Sequence, residues 1–197
     1  MSFGTPVETN NVANPGGLNL GAGFNGASMR YLNVASGVDA RVTATVTGVN
    51  YSFSAHTPNY SSNLAQPNGD IAPIYEIAAN QIGAGAMTYK IDLFNSGSNF
   101  TTAFTAPELR FLIYDVDGEA SQGEAVRIAR GGGFVGYQVG NTAQALAVTS
   151  DATSFLFSGR NVNIPETNTD GAAIFYFQNT NSATFRFEAN TRTSTNI

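Results

Sequence analysis

Apolar and polar residues alternate along most of the chain from residue 28 onward. In the segment 40–49, Val42, Ala44 and Val46 occupy one set of alternate positions, and arginine or threonine residues occupy the other. Such alternation places the two sets on opposite faces of an extended backbone, so the segment is predicted to be a half-buried strand. Similar alternation or short apolar runs predict further strands at 29–32, 71–77, 86–94, 109–114, 125–128, 137–139, 146–149, 154–158, 172–177 and 183–187.

The predicted strands follow one another at short spacing, and glycine- and asparagine-rich turns separate them. Only 77–86 and 142–146 are expected to hold short helical turns. This order favours an all-β fold, namely an antiparallel β-sandwich or jelly roll of about ten strands. We predict an extended Gly/Asn-rich N-terminal arm at 1–27, a single β-sandwich domain at 28–190 and a polar C-terminal tail at 191–197. The apolar residues expected to anchor the arm are Val7, Val12, Leu18, Leu20 and Phe24.

The composition of the 197-residue chain excludes several functional classes. Charged residues make up 12% of the chain, against about 25% in an ordinary soluble domain, and polarity comes mainly from Asn, Thr and Ser. A net charge of −5 without a basic run argues against nucleic-acid binding. No apolar run approaches the ~18 residues that predict membrane insertion, and the first residues lack the pattern of a signal peptide. There are no cysteines, which excludes disulfides.

The sparse acidic residues are concentrated in one turn. Five of the 14 lie between Glu108 and Glu124. Asp115 and Asp117 are two residues apart, so both carboxylates point to one side of an extended backbone. Several such oxygens at a strand end suit Ca²⁺, the one cofactor the sequence suggests, although the spacing is not that of an EF-hand. The alternative is a turn whose carboxylates accept hydrogen bonds from backbone N–H groups.

The segment around this turn also resembles a known family. Its sequence, F-L-I-Y-D-V-D-G-E-x-x-Q-x-E-x-V-x-I, and the upstream Y-x-N-V-x-x-G-x-D-A at 31–40 are similar to a β-sandwich domain of predicted bacterial surface and secreted proteins. The likeness covers about 28–190, and a phage virion version of the domain is a related hypothesis. It implies a non-catalytic, Ca²⁺-tolerant adhesion or structural module. The ion site that the resemblance implies comprises Asp39, Asp115, Asp117 and Glu124.

Other motifs give little support for an enzyme. The segment 131–136 fits G-x-G-x-x-G, but a strand pattern follows it, so we predict a hairpin turn rather than a dinucleotide site. His56, the one histidine, lies in a polar segment and is expected to be exposed. Asp115 and Glu124 are the one carboxylate pair that could hydrolyse glycosides, and nothing in the sequence would raise the pKa of the acid. We therefore expect no enzymatic activity.

The aromatic residues suggest both a core and a binding surface. Six phenylalanines occupy alternate positions of three predicted strands and are expected to face the core: Phe155, Phe157, Phe175, Phe177, Phe185 and Phe187. Tyr51, Tyr60 and Tyr75 lie in or near a polar loop predicted at 54–70, and they could bind sugar or protein. Packing at the rim of the core is the alternative for these tyrosines.

Two functional hypotheses follow from the sequence. The first is a non-enzymatic assembly protein of a virion exterior, such as a phage capsid decoration or cement subunit that binds itself and other shell proteins. In this hypothesis the N-terminal arm is held between subunits by burial of apolar patches and by strand addition. The neutral Thr/Asn-rich surface, the polar termini and the lack of a secretion signal favour it, with assembly in the host cytoplasm. The second is a bacterial cell-surface adhesin or carbohydrate-binding module, with surface proteins or glycans as partners. The family resemblance and the tyrosine-bearing loop favour the second.

Overall fold

A computed structural model describes residues 1, 3, 7–10, 26, 28–47, 53–59, 72–77, 84–114, 116, 118, 122–140, 146–160 and 169–191. These residues form β-strands and one 3-10 turn, Thr169–Gly171. The strands are β1 (Glu8–Asn10), β2 (Ser28–Ala35), β3 (Val38–Thr47), β4 (Phe53–Asn59), β5 (Ala72–Ile77), β6 (Ala84–Asn95), β7 (Ala106–Ile113), β8 (Gln122–Ala129), β9 (Phe134–Val139), β10 (Leu146–Ser150), β11 (Ser154–Gly159), β12 (Ala173–Thr180) and β13 (Ser182–Thr191). No helix within these ranges is both long and apolar enough to cross a bilayer.

The strands form antiparallel sheets, which confirms the predicted all-β sandwich. One sheet has eight strands in the order β1-β2-β3-β6-β13-β8-β11-β10, and a second has three in the order β7-β12-β9. β4 and β5 pair to form a separate two-stranded ribbon. The strands form where the sequence predicts them, because the alternating pattern gives each strand one apolar face.

A phenylalanine core lies between the eight-stranded and the three-stranded sheet. Phe157 and Phe185 of the larger sheet pack edge-to-face or tilted against Phe175 of the smaller one, at centroid distances of 4.9 and 5.7 Å. Such arrangements of aromatic rings add about 0.5–1.5 kcal/mol per pair beyond the burial of their area. The prediction of a phenylalanine core is confirmed, with Phe177 also buried and Phe155 and Phe187 packed partly buried against the core.

The N-terminal residues contribute a strand and one buried ring. β1 pairs with β2, so that Glu8 lies opposite Arg30. Phe3 is buried and meets Tyr31 edge-to-face at 5.2 Å. Val7 is 57% exposed, so its prediction as an anchor of the arm is wrong, and Phe3 has that role instead. The other expected anchors (Val12, Leu18, Leu20, Phe24) lie outside the described residues, as does the tail beyond Thr191.

The loop predicted at 54–70 begins with a strand. β4 pairs with β5, with a register shift between His56 and Asn59. Pro58 lies at this irregularity, where a residue without an N–H group is tolerated in a strand. The prediction of an unstructured loop is therefore wrong for 54–59. Residues 60–70 lie outside the described residues, as do 78–83 and 142–145 of the two predicted helical turns. The prediction of a helical turn is wrong for 84–86, which belong to β6.

The three glycines at 131–133 connect two different sheets. All three have positive φ, at 102°, 58° and 82°. They follow β8 of the eight-stranded sheet and lead into β9 of the three-stranded sheet. The prediction of a turn is confirmed, but the prediction of a hairpin is wrong because β8 and β9 do not pair.

Candidate functional site

Asp39 is a buried carboxylate near the start of β3 in the eight-stranded sheet. It is 1% exposed, and its Oδ1 accepts hydrogen bonds from the Asn33 backbone N–H at 2.9 Å and from the Ser96 hydroxyl at 2.7 Å. The Ser96 N–H donates to the Gly37 carbonyl at 2.9 Å. The side chain thereby connects β2 to the loop after β6. Its hydrogen bonds to a backbone N–H group and a hydroxyl give this carboxylate a structural role.

Asp39 and Glu124 lie far apart in the same sheet. Asp39 of β3 pairs with Phe94 of β6. Glu124 of β8 pairs with Ala189 of β13, which in turn pairs with Gly85 of β6. Nine residues of extended strand span roughly 30 Å, and the three steps from β3 to β8 add about 14 Å across the sheet. The predicted ion site of Asp39, Asp115, Asp117 and Glu124 is therefore wrong as a single site, because the register excludes Asp39 from it.

The acidic turn comes back to the start of β8. Gly118 forms an isolated antiparallel bridge with Gly123, the residue before Glu124, and the Val116 N–H donates to the Gly171 carbonyl at 3.0 Å. Asp115 and Asp117 lie outside the described residues. Within the residues that the structure describes, no three His, Cys, Asp or Glu side chains are grouped to hold a metal ion. Ca²⁺ at Asp115, Asp117 and Glu124 stays a prediction.

The tyrosines predicted as a binding surface fall largely outside the described part of the chain. Tyr51 and Tyr60 are not described, and Tyr75 is placed by its backbone alone, opposite Ala55 in the β4–β5 ribbon. His56 is likewise placed by its backbone, opposite Ile74. The binding role of the three tyrosines stays a prediction.

A groove of about 430 Å³ opens at the margin between the eight-stranded and the three-stranded sheet. Its walls include Arg130, Phe134, Val135, Gly136, Tyr137 and Phe155. This volume lies in the range of small ligand pockets, about 300–1,000 Å³. Val135 is 55% exposed and Tyr137 is 38% exposed, so the groove presents apolar and aromatic surface to solvent.

Aromatic rings that pack edge-to-face or tilted against one another fix the shape of the groove. Phe155 of β11 contacts Phe134 and Tyr137 of β9, with centroid distances of 5.7 and 5.4 Å. Tyr137 also meets the fully buried Phe157 at 4.8 Å, nearly perpendicular to it. The exposed aromatic surface is thus a direct extension of the core. Its rings are held in place before any ligand arrives, which lowers the entropic cost of binding.

Arg130 supplies the positive charge of the groove. Its guanidinium lies over the Phe155 ring, with Cζ 4.0 Å from the centroid, and its Nε donates to the Asp151 carbonyl at 2.9 Å. Asp151 in turn accepts hydrogen bonds from the backbone N–H groups of Thr153 and Ser154, both at 2.7 Å. Mainly because of the backbone and side-chain hydrogen bonds from Thr153, the pKa of Asp151 falls from 3.8 to about 2.

A second polar cluster lies on the outer face of the eight-stranded sheet. The two oxygens of Glu188 accept hydrogen bonds from Arg127 at 2.7 and 3.3 Å, and Arg186 donates to Oε1 at 2.9 Å. Burial raises the pKa of Glu188, but hydrogen bonds and charge from the two arginines outweigh it and lower the pKa overall. Arg127 also donates to the Ser154 hydroxyl at 3.1 Å. These groups largely satisfy one another, which is typical of a structural network.

The fold of the chain is similar to that of a known protein. No protein-family model matches the chain, and no curated protein matches it either. Among solved structures, the N-terminal domain of the Streptococcus gordonii adhesin Sgo0707 aligns with a TM-score of 0.59 at 12% identity. The alignment covers 96% of this chain and 61% of that chain, so this protein spans less than two thirds of the adhesin structure. The similarity shows that the chain has a β-rich fold resembling that of a bacterial adhesin domain.

A second solved structure is much less similar. The collagen binding domain of the Erysipelothrix rhusiopathiae surface protein RspB aligns with a TM-score of 0.16 at 8% identity, over 95% of this chain and 82% of that one. This alignment carries no argument about fold or function.

The aromatic groove was missed by the sequence analysis. Phe134 and Tyr137 belong to one sheet and Phe155 to the other, and alternation within a strand does not show which strands meet at a margin. One sequence signal could have indicated it. The stretch 134–139 combines exposed-type aromatic and apolar residues with no charged residue or proline, which is unusual for a strand at a sheet edge.

Proposed function

We propose that this chain is a non-enzymatic adhesion domain of a bacterial cell surface. The observation that carries the proposal is the fold similarity to an adhesin domain over 96% of the chain. That similarity supports the second sequence hypothesis rather than a virion exterior. The virion hypothesis assigned the N-terminal arm to contacts between subunits, whereas its strand β1 pairs with β2 of the same chain.

The groove is the surface that would engage the ligand. Tyrosine and arginine dominate the energetics of many binding interfaces, because each combines a large contact area with polar groups. Tyr137 and Arg130 provide this combination at the margin between the eight-stranded and the three-stranded sheet. Function then requires no bond to be made or broken. It requires the burial of the exposed ring and pairing of the guanidinium, and both are available without rearrangement of the sandwich.

Binding to host cells tests the proposal. Beads coated with the intact chain are added to cultured epithelial cells, and the bound beads are counted against beads coated with albumin. We expect retention of the coated beads and at least a tenfold loss with Tyr137→Ala. Tyr114→Ala is the matched control: it removes the same atoms from a tyrosine of similar exposure, 36%, that follows the opposite edge strand β7.

Three results would contradict the proposal. One is retention no better than albumin on epithelial, endothelial and fibroblast cells. Another is equal losses with the two tyrosine variants, which would remove the groove from the function. The third is recovery of the chain in stoichiometric amounts from purified phage particles, which would favour the virion hypothesis instead.

A further inference from the structure

The two edges of the three-stranded sheet are built differently. β7, at one edge, carries Pro107, Glu108 and Arg110, and prolines and charges of this kind protect an edge from pairing with another chain. β9, at the other edge, reads Phe-Val-Gly-Tyr-Gln-Val and has no charge or proline. Among the described residues β9 pairs with β12 alone, so alternate backbone N–H and C=O groups of β9 face away from the sheet.

The face of β9 at Gly136 is open. A Cβ atom placed on Gly136 would have no heavy atom within 4 Å, so no described residue packs on the strand at this position. The exposed side chains on either side of it are Val135 and Tyr137, which line the groove. β9 has a β-bulge at Val135, because the consecutive residues Tyr176 and Phe177 of β12 pair with Gly136 and Phe134. After this bulge, residues 136–139 form a regular edge next to the apolar groove.

Arg130 lies where this edge begins and has no acidic partner in the described part of the chain. Its contacts there are the Phe155 ring and the Asp151 carbonyl, and neither is a carboxylate. Arg30, Arg41, Arg110, Arg127 and Arg186 each pair with Asp or Glu. In a chain of net charge −5, an arginine without such a pair, beside an open strand edge, is suited to a carboxylate from outside.

We propose that the groove binds an extended acidic peptide, which adds a fourth strand to the three-stranded sheet along β9. The peptide backbone pairs with the outward N–H and C=O groups of β9, one of its apolar side chains contacts Tyr137 and Phe155, and its Asp or Glu carboxylate pairs with Arg130. This inference deepens the proposed adhesion function and rests on it. It is strand addition, in which backbone pairing gives affinity and side-chain pockets give specificity.

The polar groups of the groove favour a peptide over a glycan. Sugar hydroxyls need several side-chain donors and acceptors, whereas Arg130 is the one charged residue among the described residues that line the groove. The main-chain groups of residues 136–139 are regularly spaced along one line, and an extended peptide is the ligand that matches this spacing.

A displayed library of random hexapeptides, selected on the immobilised intact chain, tests the inference. We expect enriched peptides to alternate apolar and polar residues and to contain Asp or Glu. With a synthesised winner, Arg130→Gln should raise the dissociation constant about tenfold, since a hydrogen bond to a charged group is lost. Arg110→Gln is the matched control: it removes the same charge from an exposed arginine that also lies over an aromatic ring, that of Tyr176 at 5.7 Å. Hydrogen exchange of the β9 amides should slow on binding, while that of the β7 amides should not change.

Several outcomes would overturn the inference. One is that no peptide is enriched above a parallel selection on Tyr137→Ala, and another is that the enriched peptides lack an acidic residue. The inference also fails if Arg130→Gln binds the peptide with the same affinity as the wild type, or if the peptide does not slow hydrogen exchange of the β9 amides. If the coated beads still bind cells in a Tyr137-dependent manner, the peptide inference alone fails and a glycan ligand takes its place. If the beads do not bind, the adhesion function itself fails.

Discussion

The main chain of Gly133 lies directly against that of Gln178. The Gln178 N–H donates to the Gly133 carbonyl at 2.8 Å, and a Cβ atom on Gly133 would lie 2.7 Å from the Gln178 carbonyl oxygen. Gly133 also has a φ of +82°. The contact holds the connection from β8 to β9 against β12, and thereby fixes the positions of Arg130 and Phe134 at the groove.

Gly133→Ala should destabilise the fold strongly. The left-handed backbone costs an alanine about 1–3 kcal/mol, and the close approach to Gln178 forces a further shift, so we expect the free energy of unfolding to fall by about 2–4 kcal/mol. Gly132→Ala is the control, since its φ is +58° and a Cβ there meets no atom within 4 Å. It should lose only about 1 kcal/mol. Urea denaturation measures both variants, and equal losses would show that the close approach is unimportant.

Phe157→Ala should remove the centre of the aromatic core. Phe157 is fully buried and contacts Phe175 of the opposite sheet and Tyr137 of the groove. We expect the free energy of unfolding to fall by about 3–5 kcal/mol, as for other buried phenylalanines. Leu112→Ala, at a residue 45% exposed, should change it by less than about 0.5 kcal/mol. A loss below 1 kcal/mol for Phe157→Ala, measured by thermal and urea unfolding, would contradict this packing.

The strands and the core were predictable because they depend on local pattern. Alternation at 40–47 and at 183–187 gives each segment one apolar face, and Val42, Ala44 and Phe185 on those faces are buried in the structure. β4 was not recognised because His56, Thr57 and Pro58 interrupt its apolar character, and the pairing with β5 tolerates that interruption through a register shift.

The sites were less predictable because they depend on strand order. Asp39 and Glu124 were combined through a family resemblance, but β6 and β13 lie between their strands. The groove joins Tyr137 to Phe155 across two sheets. Order within a sheet and contact between sheets follow from long-range pairing, which a pattern within one strand does not contain.

The hydrogen bonds on Asp151 should make stability depend on pH in acid. Because the folded-state pKa of Asp151, about 2, is below its ordinary value of 3.8, its contribution is present above pH 3.8 and is lost as the pH falls toward 2. We expect the stability difference between the wild type and Asp151→Asn to shrink over this range. The carboxyl carbon of Asp151, followed by NMR, should titrate near pH 2. Thr153→Ala should raise this midpoint, and a wild-type midpoint at or above 3.8 would contradict the hydrogen-bonded geometry.

Glu188→Gln should destabilise more than the same change in an exposed ion pair. Glu188 accepts hydrogen bonds from both Arg127 and Arg186, and its side chain is 25% exposed. Loss of its charge leaves two arginines side by side, and we expect a cost of about 1–3 kcal/mol at neutral pH. Because the folded-state pKa is lowered, this cost should diminish in acid. Glu8→Gln, which affects an exposed pair with Arg30 at 2.7 Å, should cost about 0–1 kcal/mol. Equal costs in urea unfolding at pH 7 would contradict the difference between the two pairs.

The separation of Asp39 from the acidic turn gives a test of the calcium hypothesis. Extracellular sites bind Ca²⁺ with dissociation constants of about 10⁻⁴–10⁻³ M, so about 10 mM Ca²⁺ should raise Tm by about 4–8 °C over the value in chelator. Asp117→Asn should abolish this increase, because it removes a predicted ligand. Asp39→Asn should preserve the increase, although it lowers Tm in chelator, because Asp39 lies roughly 30 Å along the strands from the level of Glu124. If the Tm of the wild type is the same in chelator and in Ca²⁺, the turn does not bind calcium. If Asp39→Asn abolishes the Ca²⁺-dependent increase in Tm, the strand register that separates Asp39 from Glu124 is contradicted.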